Sequence, residues 1–247
     1  MAEGRATGTL TRSSRRLQKK ASGAPTTLSR KGTGEGNGAE VAEFFEQALS
    51  ELDTLRAGIN YGAIARAVEI IRTALGRGGR VHMTGVGKPE HVARYAASLF
   101  CSIGTPTTFL HATETLHGSL GQVHPRDVVL AISNSGNTDE LLSTAAAIKD
   151  QGTQLIAVTG DPDSALARLA DLVIHSPTPR EGGGLGLAPR ISVLGQVFVI
   201  AGLSVALEIA HGLTAEEYSR WHRAGALGAA ARKLADGKRI ATKTPRR

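Results

Sequence analysis

Apolar residues recur along this chain in two periods, and the alternation between them predicts its elements. From 40 to 55, Val41, Phe44, Phe45, Leu49, Leu52 and Leu55 fall at helical spacing, and a second helix fits 63–75. Gly76 to Gly79 end it. Residues 80–84 read as a strand, followed by Gly85-Val86-Gly87-Lys88 and a helix from Pro89 to Ile103. Proline suits a first helical turn, where its missing N–H has no partner to lose. A strand at 107–110 leads into a polar loop or short helix at 111–120. Residues 127–132 form an apolar run rich in β-branched side chains, as in a buried parallel strand. A helix at 138–149 follows at once, with Leu141, Leu142, Ala145 and Ile148 on one face. A strand at 154–159 ends in the turn Gly160-Asp161-Pro162-Asp163, Ser164 caps a short helix to Ala170, and 172–175 is the last strand. Five short strands alternating with helices predict an α/β fold, a doubly wound five-stranded parallel sheet.

The run 191–207 carries no charge and approaches the lower limit for a membrane span. Gly195, Gln196, Gly202 and Ser204 interrupt it and Glu208 closes it, so it reads as a helix buried in the core or in a subunit interface. No membrane partner is expected.

Composition changes the picture at the ends. The 247 residues carry a formal net charge of +7, which invites a nucleic-acid reading. Yet residues 1–38 hold eight Lys/Arg against Glu3 and Glu35, and 230–247 hold seven against Asp236. The stretch between them is net acidic. Both ends are expected to be disordered basic tails, with at most weak affinity for polyanions, which sets off a globular domain at 39–230 from tails at 1–38 and 231–247. The first tail lacks the apolar core of a secretory signal. A single cysteine, Cys101, excludes an intramolecular disulfide and fits a reducing cytoplasm.

The stretch that carries chemistry is the turn after the third strand, Ser133-Asn134-Ser135-Gly136-Asn137-Thr138. A strand, a hydroxyl-rich glycine turn and a helix N-terminus together bind anions, because the first helical N–H groups have no partner and the helix dipole favours negative charge. Ser133, Ser135 and Thr138 add donors. No Gly-Lys-Ser/Thr ending follows, so this is not a nucleotide-triphosphate loop. It predicts a site for one phosphate monoester; the alternative is that the hydroxyls only turn the chain and cap the helix. In a doubly wound sheet the loops after the first and third strands face one cleft.

Taken in register, GVGK at 85–88, SIGTP at 102–106, TETLHGSLG at 113–121, DVVLAISNSG at 127–136, LGLAP at 185–189, GLTAEEY at 212–218 and GALG at 225–228 resemble the sugar-isomerase (SIS) domain of arabinose-5-phosphate isomerases over about residues 40–230. The resemblance implies a three-layer α/β/α sandwich, homodimers or homotetramers with shared sites, and aldose–ketose isomerisation of a phosphosugar through an enediol without a redox cofactor. It places the catalytic residues on Lys88, Glu140, Glu181 and His222, with Glu181 as base and His222 for ring opening, supplied from a neighbouring subunit. It places substrate binding on Gly87, Ser133, Asn134, Ser135 and Thr138. His117 matches a histidine some members use toward a metal; no metal is assigned. Members usually carry a CBS-domain pair after the isomerase domain, which is expected to be absent here.

The chain departs from the family where GKSGH becomes Gly87-Lys88-Pro89-Glu90-His91, where Ser119 replaces an acid, where Arg190-Ile191-Ser192-Val193 replaces a Thr/Ser run, and where HPGG becomes His222-Arg223-Ala224-Gly225. These changes predict an altered substrate rather than lost catalysis. Two other readings compete: a phosphosugar sensor without turnover, and a nucleic-acid-associated protein acting through its tails.

Overall fold

The computed structural model describes residues 36–243. Five parallel strands, β1 (Val81–Gly85), β2 (Thr107–Phe109), β3 (Val128–Ser133), β4 (Gln154–Thr159) and β5 (Leu172–His175), form one sheet in the order β2-β1-β3-β4-β5. The sheet is doubly wound, and its order reverses between β1 and β3, which pair in register from Val81↔Val128 to Gly85↔Ile132. Strands buried on both faces need apolar side chains at every position, and β3 is buried throughout.

Period-2 alternation splits the core into two layers. Val81, Met83, Val128, Leu130, Ile132, Ile156 and Val158 point to one face, where they pack with α2 (Tyr61–Gly76), α3 (Lys88–Ser102), α7 (Ile191–His211) and Leu55 of α1 (Gly36–Ala57). Val129, Ala131, Leu155 and Ala157 point to the other, against α4 (Ala112–Thr115), α5 (Asp139–Asp150) and α6 (Ala165–Leu169). This is the three-layer sandwich. Phe100, buried in the first layer, is one such side chain, each contributing about 1.5–3 kcal/mol relative to exposure.

Strand and helix ends explain the one-residue offsets from the sequence reading. Asp127 stands just before β3 because its carboxylate is spent outside the ladder: Oδ1 accepts from the Arg80 amide at 3.0 Å and Oδ2 from the His124 amide at 2.9 Å. Oδ2 also lies 3.0 Å from His82 Nε2, while His82 Nδ1 meets Thr108 Oγ1 at 2.9 Å. Burial holds the His82 imidazole below its ordinary value, against the hydrogen bond and charge of Asp127. Burial alone would raise the Asp127 carboxyl, but the His124 amide, His82 and the Arg80 amide together hold it below the usual carboxylate value.

The carboxy-terminal segment corrects the sequence reading. Residues expected to form a disordered tail from 230 on continue a helix, α9 (Gly225–Lys243), preceded by α8 (Ala215–Trp221). The alanine-rich stretch 229–235 has high helix propensity that basic composition concealed. Gly228 sits so close to the His222 carbonyl that a Cβ would collide with it, and Ala231 is buried. Of the amino-terminal tail expected at 1–38, residues 36–38 begin α1 and residues 1–35 lie outside the described residues.

Candidate active site

The turn after β3 is held from both sides. Ser133 Oγ accepts from the Gly136 amide at 3.1 Å, and Ser135 Oγ accepts from the Asn137 amide at 3.3 Å. Both oxygens therefore face the backbone as acceptors and keep their O–H groups to donate elsewhere. Asn137 Oδ1 accepts from the Ala165 amide at 3.0 Å and the Gly136 carbonyl from the Leu166 amide at 2.9 Å, which straps the turn to the start of α6. Gly136 has φ +60°, and a Cβ there would strike Ser164 Oγ. Thr138 is the N-cap of α5 in extended conformation, yet its hydroxyl makes no capping bond. That departs from the purely structural expectation, in which Thr138 caps the helix. The Asn134 carbonyl accepts from the Gly160 amide at 3.0 Å, joining this turn to the end of β4, while Asn134 Oδ1 is buried without a protein partner.

Across the switch point, β1 ends in Gly85, where a Cβ would lie 2.9 Å from the Pro89 carbonyl carbon, so only glycine lets α3 start directly on the strand. Gly87 caps α3 at φ +71°. Lys88, the first residue of α3, is exposed and has no hydrogen-bond or ion-pair partner among the described residues. Glu90, whose charge would oppose an anion, is taken up by Arg94 at 2.9 and 3.0 Å, and that guanidinium lies 3.8 Å over the Phe109 ring. Thr84, one residue from the end of β1, carries a buried hydroxyl without a partner among the described residues.

Glu181 stands at the start of α7. Its Oε2 accepts from the Arg190 amide at 2.7 Å and the Ser192 amide at 3.1 Å, two of the donors a helix start leaves unpaired. Its Oε1 has no partner among the described residues. Arg190 Nη1 donates to the Gly182 carbonyl at 3.3 Å, closing the loop over the same helix end. Gly195, in the second turn of α7, lies beside Ser176 and Thr178, just past β5, so this helix starts at the carboxyl end of the sheet. The amino ends of α3, α5 and α7 thus lie at one end of the sheet, with Lys88, the Ser133–Thr138 turn and Glu181. Glu140, in the first turn of α5, is exposed there too.

His222 lies elsewhere. Its ring stacks on Tyr218, centroids 3.9 Å apart at 9°, and Nδ1 donates to the Tyr218 carbonyl at 3.0 Å, which leaves Nε2 as the acceptor. The preceding Trp221 packs on Gly104, two residues before Pro106, whose carbonyl accepts from Val81 at the start of β1. His222 is therefore at the amino end of the sheet, opposite the turn after β3. His117 is exposed, and among the described residues no three His, Cys, Asp or Glu side chains group as a metal site.

The sequence reading missed the brace from Asn137 to α6 and the capping role of Glu181. It also missed α8, although Thr214 and Glu217 form a capping box with a readable T-x-x-E signal.

A family model described as the SIS domain matches residues 75–206. Arabinose 5-phosphate isomerase KdsD of Salmonella typhi is 39% identical over 191 residues, 77% of this chain and 56% of that protein. The chain thus spans about half the length of the curated relatives it matches. Among solved structures, E. coli CFT073 c3406 in complex with arabinose 5-phosphate has TM-score 0.71 and 32% identity, covering 77% of this chain and all of that one. A putative phosphosugar isomerase involved in capsule formation from Bacteroides fragilis NCTC 9343 has TM-score 0.70 and 32% identity, covering 76% of this chain and 97% of that one. With the family model matching more than half its length on the fold described above, this chain belongs to the SIS-domain family.

Proposed function

We propose that this chain, through a phosphosugar domain at 39–230, interconverts an aldose and a ketose phosphate of the arabinose 5-phosphate/ribulose 5-phosphate type, in the cytoplasm and as a homodimer or homotetramer. The observation that carries the reading is the adjacency, at the β1/β3 switch point, of an uncommitted lysine and a braced turn with free hydroxyl donors. The resemblance to proteins named for this reaction, and to a structure solved with arabinose 5-phosphate, supports it.

In this mechanism Ser133, Ser135, Thr138 and the N-terminus of α5 hold the phosphate, with Asn134 and Gly87 shaping the walls. Glu181 Oε1 removes the proton from C2 of the open-chain aldose. Electrons move from the C2–H bond into a C1–C2 double bond and onto the carbonyl oxygen, where Lys88 stabilises the enediolate. Protonation at C1 by the same carboxyl, with the C2 hydroxyl proton lost to the C1 oxygen, gives the ketose. His222 Nε2, from a neighbouring subunit, assists ring opening, and Glu140 orients the sugar hydroxyls.

The test is C1/C2 deuteration in D₂O, followed by NMR, on arabinose 5-phosphate, ribulose 5-phosphate and a set of hexose and heptose phosphates. Exchange with one of them is expected, falling about 10²- to 10⁴-fold in Glu181→Gln. Saturable binding with no exchange on any sugar overturns the enzyme reading. A second reading, a phosphosugar sensor, is favoured by one observation: Glu181 Oε2 is already committed to two backbone amides.

A further inference from the structure

A cavity of about 670 Å³ opens at the amino end of the sheet, the end opposite the turn after β3. Its walls come from the turns before β1 and β2, the end of α7, and α8. That size suits a small molecule. Leu75, Ile103 and Leu213 make part of the wall apolar, and Trp221 adds an indole that is 50% exposed. The six-membered ring of the indole rests on Gly104, at φ +82°, where a Cβ would collide with it. The ring is thus held in place while half of the side chain stays open.

Two opposite charges line this cavity and do not pair with each other. Arg72, exposed on α2, has no hydrogen bond or ion pair among the described residues. Glu217, on α8, accepts at Oε2 from the Thr214 hydroxyl at 2.8 Å and amide at 3.0 Å, which hold its carboxyl below the ordinary carboxylate value. Its Oε1 is uncommitted among the described residues. His211 stands in the same wall. Burial, then the charge of Arg72, keep its imidazole below the ordinary 6.5 against a hydrogen bond with the Ile103 backbone. It is therefore neutral at neutral pH and adds no second positive charge.

This arrangement of charge selects a ligand. A pure anion, a phosphosugar among them, meets Glu217 as well as Arg72, and a pure cation meets Arg72 as well as Glu217. A molecule that carries both charges on one carbon offers each its opposite. A guanidinium takes a carboxylate bidentately, and a carboxylate takes an ammonium. The indole then receives an apolar side chain.

We propose that this cavity binds a free α-amino acid with a large apolar side chain, its carboxylate on Arg72, its ammonium on Glu217 and its side chain on Trp221. The site is separate from the turn after β3 and does not depend on the isomerase reading. Glu217 and Trp221 both belong to α8, and His222 follows at once, so an occupant ties the segment carrying His222 to α2.

Trp221 is the sole tryptophan of the chain, so its fluorescence reports on the cavity directly. The test titrates the full chain with L-phenylalanine, with phenylpropionate, which lacks the ammonium, and with phenethylamine, which lacks the carboxylate. L-Phenylalanine should give a saturable change in emission, and each analogue should bind about tenfold or more weakly, having lost one charged contact. Arg72→Gln should weaken L-phenylalanine and phenylpropionate and leave phenethylamine unchanged. Glu217→Gln, whose amide oxygen still serves Thr214, should weaken L-phenylalanine and phenethylamine and leave phenylpropionate unchanged. No saturable response to L-phenylalanine, an analogue that binds equally well, unchanged affinity in both variants, or displacement by arabinose 5-phosphate each overturns the proposal.

Discussion

Two polar clusters sit at opposite ends of the same central strands, and they use their hydrogen bonds differently. At the amino end, both oxygens of Asp127 and both ring nitrogens of His82 are engaged, nearly all out of solvent. At the carboxyl end, the turn after β3 is braced through its backbone and through Asn137, while the hydroxyl hydrogens of Ser133 and Ser135 and the whole hydroxyl of Thr138 stay uncommitted. A cluster whose bonds all close on themselves holds strands; one whose frame is fixed but whose donors are open keeps those donors for the phosphate of the proposed function.

The sharpest way to break this contrast is Asp127→Ala, which strands the Arg80 and His124 amides and His82 Nε2 in the interior. It should cost about 1–3 kcal/mol for each polar group left unpaired, read in denaturant unfolding, while leaving the affinity for a phosphosugar unchanged. Weakened binding at full stability would reverse the assignment of the two ends. Next in size, Thr138→Val removes a hydroxyl that no capping bond uses. It should raise KM for a phosphosugar about tenfold to a hundredfold, as expected for one hydrogen bond to a charged group, with Tm held. A fall in Tm without a change in KM would return Thr138 to the role of a cap.

The smallest expected effect is on pH dependence. The folded His82 imidazole titrates below its ordinary 6.5, so the unfolded chain takes up the proton first. Stability is full above pH 6.5 and is lost as pH falls through the folded value. His211, lowered by burial and by Arg72, acts with the same sign. Asp127, held below its ordinary 3.8, adds a loss only in stronger acid. Thermal melts from about pH 8 to 5 should show Tm declining from about pH 6.5, less steeply in His82→Gln. An equal decline in that variant would free His82 of the effect.

The sheet was legible because parallel strands buried on both faces must be apolar throughout, and 128–133, 154–159 and 172–175 have few other readings. The turn after β3 was legible because glycine and hydroxyls between a strand and a helix leave a local signature. Long-range use of a side chain leaves none. Nothing around Glu181 shows that its carboxylate reaches the amides of Arg190 and Ser192, since that depends on how the intervening glycine loop folds back. Nor does anything near His222 reveal the end of the sheet it occupies, which Trp221 fixes by docking on Gly104. Helix α9 was hidden by its charge: lysine and arginine read as a solvated tail, while the alanines between them favour a helix.

The split use of the Glu181 carboxylate has a consequence for how this position can vary over evolutionary time. One oxygen closes a long helix and the other, in the proposed chemistry, carries the proton. Glutamine keeps a carbonyl oxygen for the helix and gives up the proton carrier. Aspartate keeps the acid, but its reach is shorter by one methylene, so it serves the helix or the sugar and not both. In a lineage without the proposed reaction, glutamine at 181 would therefore leave the helix end closed. Under the proposed chemistry, the residue found at 181 in descendants of this chain separates those that kept the reaction from those that kept only the shape.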